Sequence, residues 1–215
     1  MLTLIKRELQ DNLLLFIIAA ILNFLILLGV ILAFKIEIEK SDIPLGMPTH
    51  LLNIWFYIFP IASIIFASFG ATQMYSDQTK KISTFLSTLA VTRNMIWFAK
   101  MLTGLLMLIF VFLPLVITVA IFLSMYPRVV PPDMSLFTNF YITAALASTA
   151  CYFAGLSLGW NQNKFFPVLG SLGTAIIILS FIAIKGIGIE TQIILILIAL
   201  CSALKSRYKF MTSSL

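Results

Sequence analysis

The sequence predicts an all-α, polytopic membrane protein with six transmembrane helices, a short amphipathic helix ahead of the first, and another in the loop between the second and third. Three observations predict it. The chain of 215 residues is 61% hydrophobic and only 10% charged, with a mean hydropathy of +1.08, so it has too little polar surface to cover a soluble globule. Its apolar stretches approach or exceed the roughly 20 residues that a helix needs to cross the hydrocarbon core. Its charges gather at the edges of those stretches. The net charge of +6 therefore reads as headgroup and insertion chemistry, and no nucleic-acid partner is expected.

Residues 1–12 form the first element. Thr3, Lys6, Arg7, Gln10 and Asp11 share one helical face and Leu2, Ile5 and Leu9 another, which suits an interfacial amphipathic helix lying in the headgroup plane. The transmembrane domain is expected over 13–215. Its first span, Leu13 to Phe34, is 22 residues long, is preceded by Glu8 and Asp11, and has no small-x-small site after Ala33. It is expected to remain in the protein rather than be cleaved as a signal peptide. Asn23 is the one amide well inside it.

The second and third spans run from Leu51 to Thr72 and from Met101 to Met125, with Pro60 and Pro114 as expected kinks. The fourth, Leu136 to Trp160, carries Ala147, Cys151, Gly155 and Gly159 at every fourth position, a face so free of bulk that another helix can approach closely. Packing within one bundle is the favoured reading of that stripe over a subunit interface or translocation seam. Gly170 and Gly173 suggest a similar face in the fifth span, Phe165 to Ile184. The sixth, Ile187 to Leu204, is the weakest, because its strictly apolar part begins only at Ile193 and Glu190 lies near its start.

Charge sets the orientation. Ten of the 14 Lys and Arg residues (Lys6, Arg7, Lys80, Lys81, Arg93, Lys100, Lys164, Lys205, Arg207 and Lys209) fall on the side of the termini. Lys35, Lys40, Arg128 and Lys185 fall on the other, so the expectation is a multi-pass protein of the cell (inner) membrane with both termini cytoplasmic.

The segment 73–100 is the most informative. Within it Ile82, Phe85, Leu86 and Leu89 recur at i, i+3, i+4 and i+7, with Ser83, Thr84, Ser87 and Thr88 opposite. This is a short amphipathic helix on the cytoplasmic side, able to dock onto a soluble partner. The rest of the chain offers no chemistry of its own. It has no GxxxxGK[ST] loop for a nucleotide phosphate, no GxSxG elbow, no HExxH and no paired carboxylates in one span, so it is not expected to be an enzyme. Cys151 and Cys201 read as small packing residues without a disulfide, and the single His50 cannot make a metal site.

These features resemble the permease subunit of an ABC transporter of the ABC-2 (type V exporter) group. In that family the loop between spans two and three has an acidic residue, a GT pair four residues on, an amphipathic coupling helix, then L-P-V-S/T-R and a lysine. Here Asp77 takes the acidic place, Phe85 and Leu86 belong to the helix, Leu89-Ala90-Val91-Thr92-Arg93 matches apart from Ala90, and Lys100 has the expected spacing. Lys81-Ile82 stands where GT is usual. The resemblance implies that Asp77, Ile82, Phe85, Leu86, Leu89, Arg93 and Lys100 couple this chain to a separate ABC ATPase subunit, which would hold ATP and Mg. It implies no cofactor in this chain, and a second permease half, identical or homologous, across a substrate path. The family's re-entrant helices between spans five and six have little room between Lys185 and Gln192. A haem-export permease, a non-transporting membrane scaffold or an immunity protein are alternatives that the same six spans permit.

Overall fold

The computed structural model describes residues 2–40, 49–79, 92–125, 134–160 and 165–212. They form seven helices and, among the described residues, no strand: α1 (Leu2–Asp11), α2 (Leu13–Lys40), α3 (Thr49–Thr79), α4 (Arg93–Met125), α5 (Met134–Leu158), α6 (Phe165–Lys185) and α7 (Ile189–Thr212). Helix is the form that lets an apolar segment satisfy every backbone group from within, which hydrocarbon demands. Several helices overrun the apolar stretches that seed them: α2 continues to Lys40, α3 to Thr79, and α4 begins at Arg93. Once nucleated, each added residue contributes a hydrogen bond, so the helix need not stop where the apolar run does. The ends of the 73–100 segment are therefore helical, and its amphipathic centre, 80–91, lies outside the described residues.

Five of these helices contain stretches long and apolar enough to cross a membrane: Ile58–Ser76, Arg93–Ile117, Thr138–Leu158, Phe165–Lys185 and Ile189–Thr212. The bent pair of α1 and α2 adds a sixth when taken as one unit. Asn12 makes that bend. Its backbone N–H and its Nδ2 both donate to the Glu8 carbonyl, at 3.2 and 2.8 Å, while its own carbonyl accepts from Leu15 and Phe16. One residue thus closes α1 and opens α2, and the chain turns by 64°.

Helix α5 is the centre of the bundle, packed against α3, α6 and α7, whereas α2 leans mainly on α4. The inner faces of the last two helices follow helical spacing: Pro167, Ser171, Ala175, Ile178 and Ile182 in α6, and Thr191, Leu195, Ala199, Ser206 and Phe210 in α7. Their outer faces are rows of exposed apolar residues, among them Leu169, Ile176 and Ile177 in α6 and Ile193, Leu197, Leu200 and Leu204 in α7. Such rows suit lipid contact. Only residues 186–188 join α6 to α7, with Gly186 at φ +83°, a left-handed turn that glycine adopts without a Cβ clash. Its N–H donates to Ile182 O at 2.9 Å and its carbonyl accepts from Thr191 Oγ1 at 2.8 Å. No re-entrant helix fits in that link.

Two readings change. Gly173 has nothing within 4 Å of an added Cβ and Gly170 meets only Leu158, so α6 has no close-packed glycine face like that of α5. Cys201 is exposed on the outside of α7 rather than packed, whereas Cys151 is buried.

Candidate functional site

Helix α1 and the end of α7 lie at one end of the bundle, and four residues from four helices close a ring there. Lys100 Nζ on α4 is 2.9 Å from Glu8 Oε1 on α1. Glu8 Oε2 accepts from Gln73 Nε2 on α3 at 3.3 Å. Tyr152 OH on α5 lies 2.9 Å from both Gln73 Oε1 and the Lys100 backbone carbonyl, and shares its one proton between them. The lysine side chain is 1% exposed and the glutamate 11%. A charge taken so far from water persists only when it is paired and hydrogen-bonded, as each is here.

Glycines make room for this ring. A Cβ on Gly104 would run into the phenol of Tyr152, and one on Gly70 into the Tyr152 carbonyl. The Phe69 ring stacks on the other side of Tyr152 with centroids 5.8 Å apart. The tyrosine is thus wedged between α3 and α4 with its hydroxyl aimed at the ion pair.

Beside the ring, α3 and α5 meet backbone to backbone. A Cβ on Gly155 would strike the Ala67 carbonyl, and one on Gly159 would come within 2.5 Å of Ala71 O and 2.7 Å of Met74 Cβ. Ala147 and Cys151 are also fully buried, so the whole stripe of α5 lies inside this chain. On α3 the facing residues Ser63, Ala67 and Ala71 are themselves small and four apart, and Ser63 Oγ reaches Ser148 Oγ at 3.4 Å. Without a hydrophobic drive between helices in lipid, close approach of this kind is what holds them together.

A third polar contact ties α2 to α4. Pro114 has no N–H to give to the carbonyl of Phe110, four residues before it. Asn23 Nδ2 donates to that same carbonyl at 3.2 Å. The lone amide of the first span therefore answers the proline of the third.

The segment expected to couple to a partner enters and leaves at this end of the bundle. Asp77 falls in the last turn of α3, with its side chain outside the described residues, as are Ile82, Phe85, Leu86 and Leu89. Arg93 opens α4 and donates to Met211 O on α7 at 3.1 Å. Beside it Trp97 Nε1 donates to Ser206 Oγ at 3.3 Å, and Lys209 Nζ to Ser157 O at 3.3 Å. Lys100, which the resemblance places among the coupling residues, is buried against Glu8, because α4 begins two turns earlier and carries the lysine inward. The structure brings Lys100 together with three residues that sequence reasoning did not select: Glu8, Gln73 and Tyr152. Glu8 had one visible signal, its place beside Ile5 and Leu9 on the less polar side of α1. Among the described residues no group of three His, Cys, Asp or Glu side chains is placed to hold a metal ion. The chain matches no protein-family model, no curated protein and no solved structure.

Proposed function

We propose that the chain is the membrane-spanning permease subunit of an ATP-driven exporter of the ABC-2 type. It would cross the cell membrane six times with both termini cytoplasmic, pair with a second permease half, and draw its energy from a separate ATPase. The observation that carries this reading is the position of the Glu8–Gln73–Lys100–Tyr152 ring. Gln73 lies six residues before the end of α3 and Lys100 seven after the start of α4, each about 10 Å along its helix from the segment 80–91. A partner that pushes on Phe85 and Leu86 would therefore push two helices already fastened to each other, to α1 and to α5. A rigid-body shift of packed helices is an ordinary way for such a push to reach the membrane interior. In this reading ATP and Mg are the partner's, and the role of this chain is to receive force and shape the path.

The test is co-purification in mild detergent with the ATPase. Phe85→Ala removes an aromatic anchor, which at an interface costs about 2 kcal/mol, or about thirtyfold in affinity. The expected outcome is loss of the ATPase partner and of transport from Phe85→Ala, with the membrane bundle still folded; Arg93→Ala should weaken both less. The three-residue turn at Gly186 leaves no vestibule element between α6 and α7 and favours a second reading, a non-transporting membrane scaffold or immunity protein. Purification of the wild-type chain with no ATPase attached would decide for it, and full retention of the ATPase by both variants would overturn the docking role of Phe85 and Arg93.

A further inference from the structure

An apolar cleft of about 260 Å³ opens between α2, α3 and α4. Its rim is made of half-exposed Leu15, Ile18 and Leu22 on α2 and Ile61 and Ile65 on α3, while Phe66, Phe69, Met107 and Leu115 are buried at its floor. The rim residues belong to the outward, lipid-compatible faces of their helices, so the mouth opens sideways into hydrocarbon rather than toward water. The space exceeds the roughly 150 Å³ of an apolar cavity that takes up benzene.

Among the described residues its lining contains one polar side chain, Asn23, which is 6% exposed. The amide orientation is set by its partner: the Phe110 carbonyl can only accept, so the nitrogen must face it and the oxygen must point elsewhere. Among the described residues Asn23 Oδ1 accepts no hydrogen bond. Asn23 lies ten residues into α2, about 15 Å along the helix, which is close to half of a hydrocarbon core of about 30 Å. An unanswered acceptor at that depth is costly, and a plain acyl chain has no donor to offer it.

We infer that this cleft binds the acyl chain of a membrane lipid that carries a hydroxyl group near its middle, the hydroxyl donating to Asn23 Oδ1 while the chain covers Phe66, Phe69 and Leu115. The inference needs only that α2, α3 and α4 sit in a bilayer and does not depend on the transport reading. Its occupant is a lipid of the surrounding membrane.

The full chain, reconstituted in phosphatidylcholine nanodiscs, is labelled with a phosphatidylcholine bearing a mid-chain diazirine, and the labelled peptides are mapped by mass spectrometry. Label should fall on the α2 and α3 residues of the cleft and disappear in Ala62→Phe, which fills it. A competitor with a mid-chain hydroxyoctadecanoyl group should displace the probe about fivefold better than one with plain octadecanoyl, the effect of one neutral hydrogen bond. Asn23→Leu alone would also strip Phe110 of its donor, so it is combined with Pro114→Ala, which restores the helical N–H. In Asn23→Leu/Pro114→Ala the label should remain in the cleft and the fivefold preference should vanish. Equal competition by the two lipids in the wild-type chain overturns the inference, and so does labelling that Ala62→Phe leaves unchanged. The wild-type comparison needs no variant to fold.

Discussion

Lys100 and Glu8 are each other's answer to burial, 2.9 Å apart with little water around either. Removing one partner leaves the other as an uncompensated buried charge, and that costs about 3 to 5 kcal/mol, whereas replacing both costs far less. Lys100→Met should accordingly lower the thermal midpoint in mild detergent sharply, and Glu8→Gln/Lys100→Met should recover most of the loss. Single and double variants with additive effects would mean that the pair is not coupled. The pair was hard to read in the sequence for a physical reason. Glu8 sits in a short helix with Lys6, Arg7 and Asp11 around it, where one more charge looks solvated, and its partner is 92 residues away. Asn23 was easier to notice, since an amide inside an apolar span stands out, but its use depends on the proline that left the Phe110 carbonyl without a donor.

Between elements, the contact of α3 with α5 depends on the absence of side chains. Gly155→Ala should weaken the bundle, because its Cβ meets backbone that cannot swing aside. Gly173→Ala should be neutral or stabilising by about 0.5 to 1 kcal/mol, because nothing lies within 4 Å and alanine is the better helix former. Thermal unfolding of the two variants in the same detergent checks this, and a Gly155→Ala variant as stable as Gly173→Ala would show that the α5 stripe faces lipid. The spacing of Ala147, Cys151, Gly155 and Gly159 was legible because close helix contact leaves a period of four in the sequence. The α3 side, Ser63, Ala67 and Ala71, was obscured by Phe66 and Phe69 between its members. Gly170 and Gly173 mislead in the opposite direction: sequence records that a residue is small, not what stands opposite it.

For the whole molecule, the helical architecture of the described residues was legible from apolar length alone, and the five helices long and apolar enough to cross a membrane overlap the stretches that predicted them, with shifts of up to eight residues where a helix starts earlier or runs on. The first span is different, because Asn12 bends it away from α1 and it leans mainly on α4. Hydropathy measures how apolar a stretch is and carries no information about such a bend. Orientation can be measured directly. With both termini cytoplasmic, an impermeant thiol reagent applied to intact cells should label Ser41→Cys and spare Ser83→Cys, in a background where Cys201 is replaced by serine. The reverse pattern would turn the protein over and move the segment 80–91 away from any cytoplasmic ATPase.

The hydrogen bonds from Trp97 to Ser206, Arg93 to Met211 and Lys209 to Ser157 also impose an order on assembly. Helix α7 is the last of the seven to leave the ribosome, and the tight turn at Gly186 lets it enter the bilayer with α6 as one hairpin. Until it arrives, the indole of Trp97 and the Ser157 carbonyl of α5 have no α7 to bond, and the face of α5 that α7 covers lacks a neighbour. Without Ser206 and the two turns that follow it, Trp97, Arg93 and Ser157 each lose a partner on α7, so those turns act as a latch across the ends of α4 and α5.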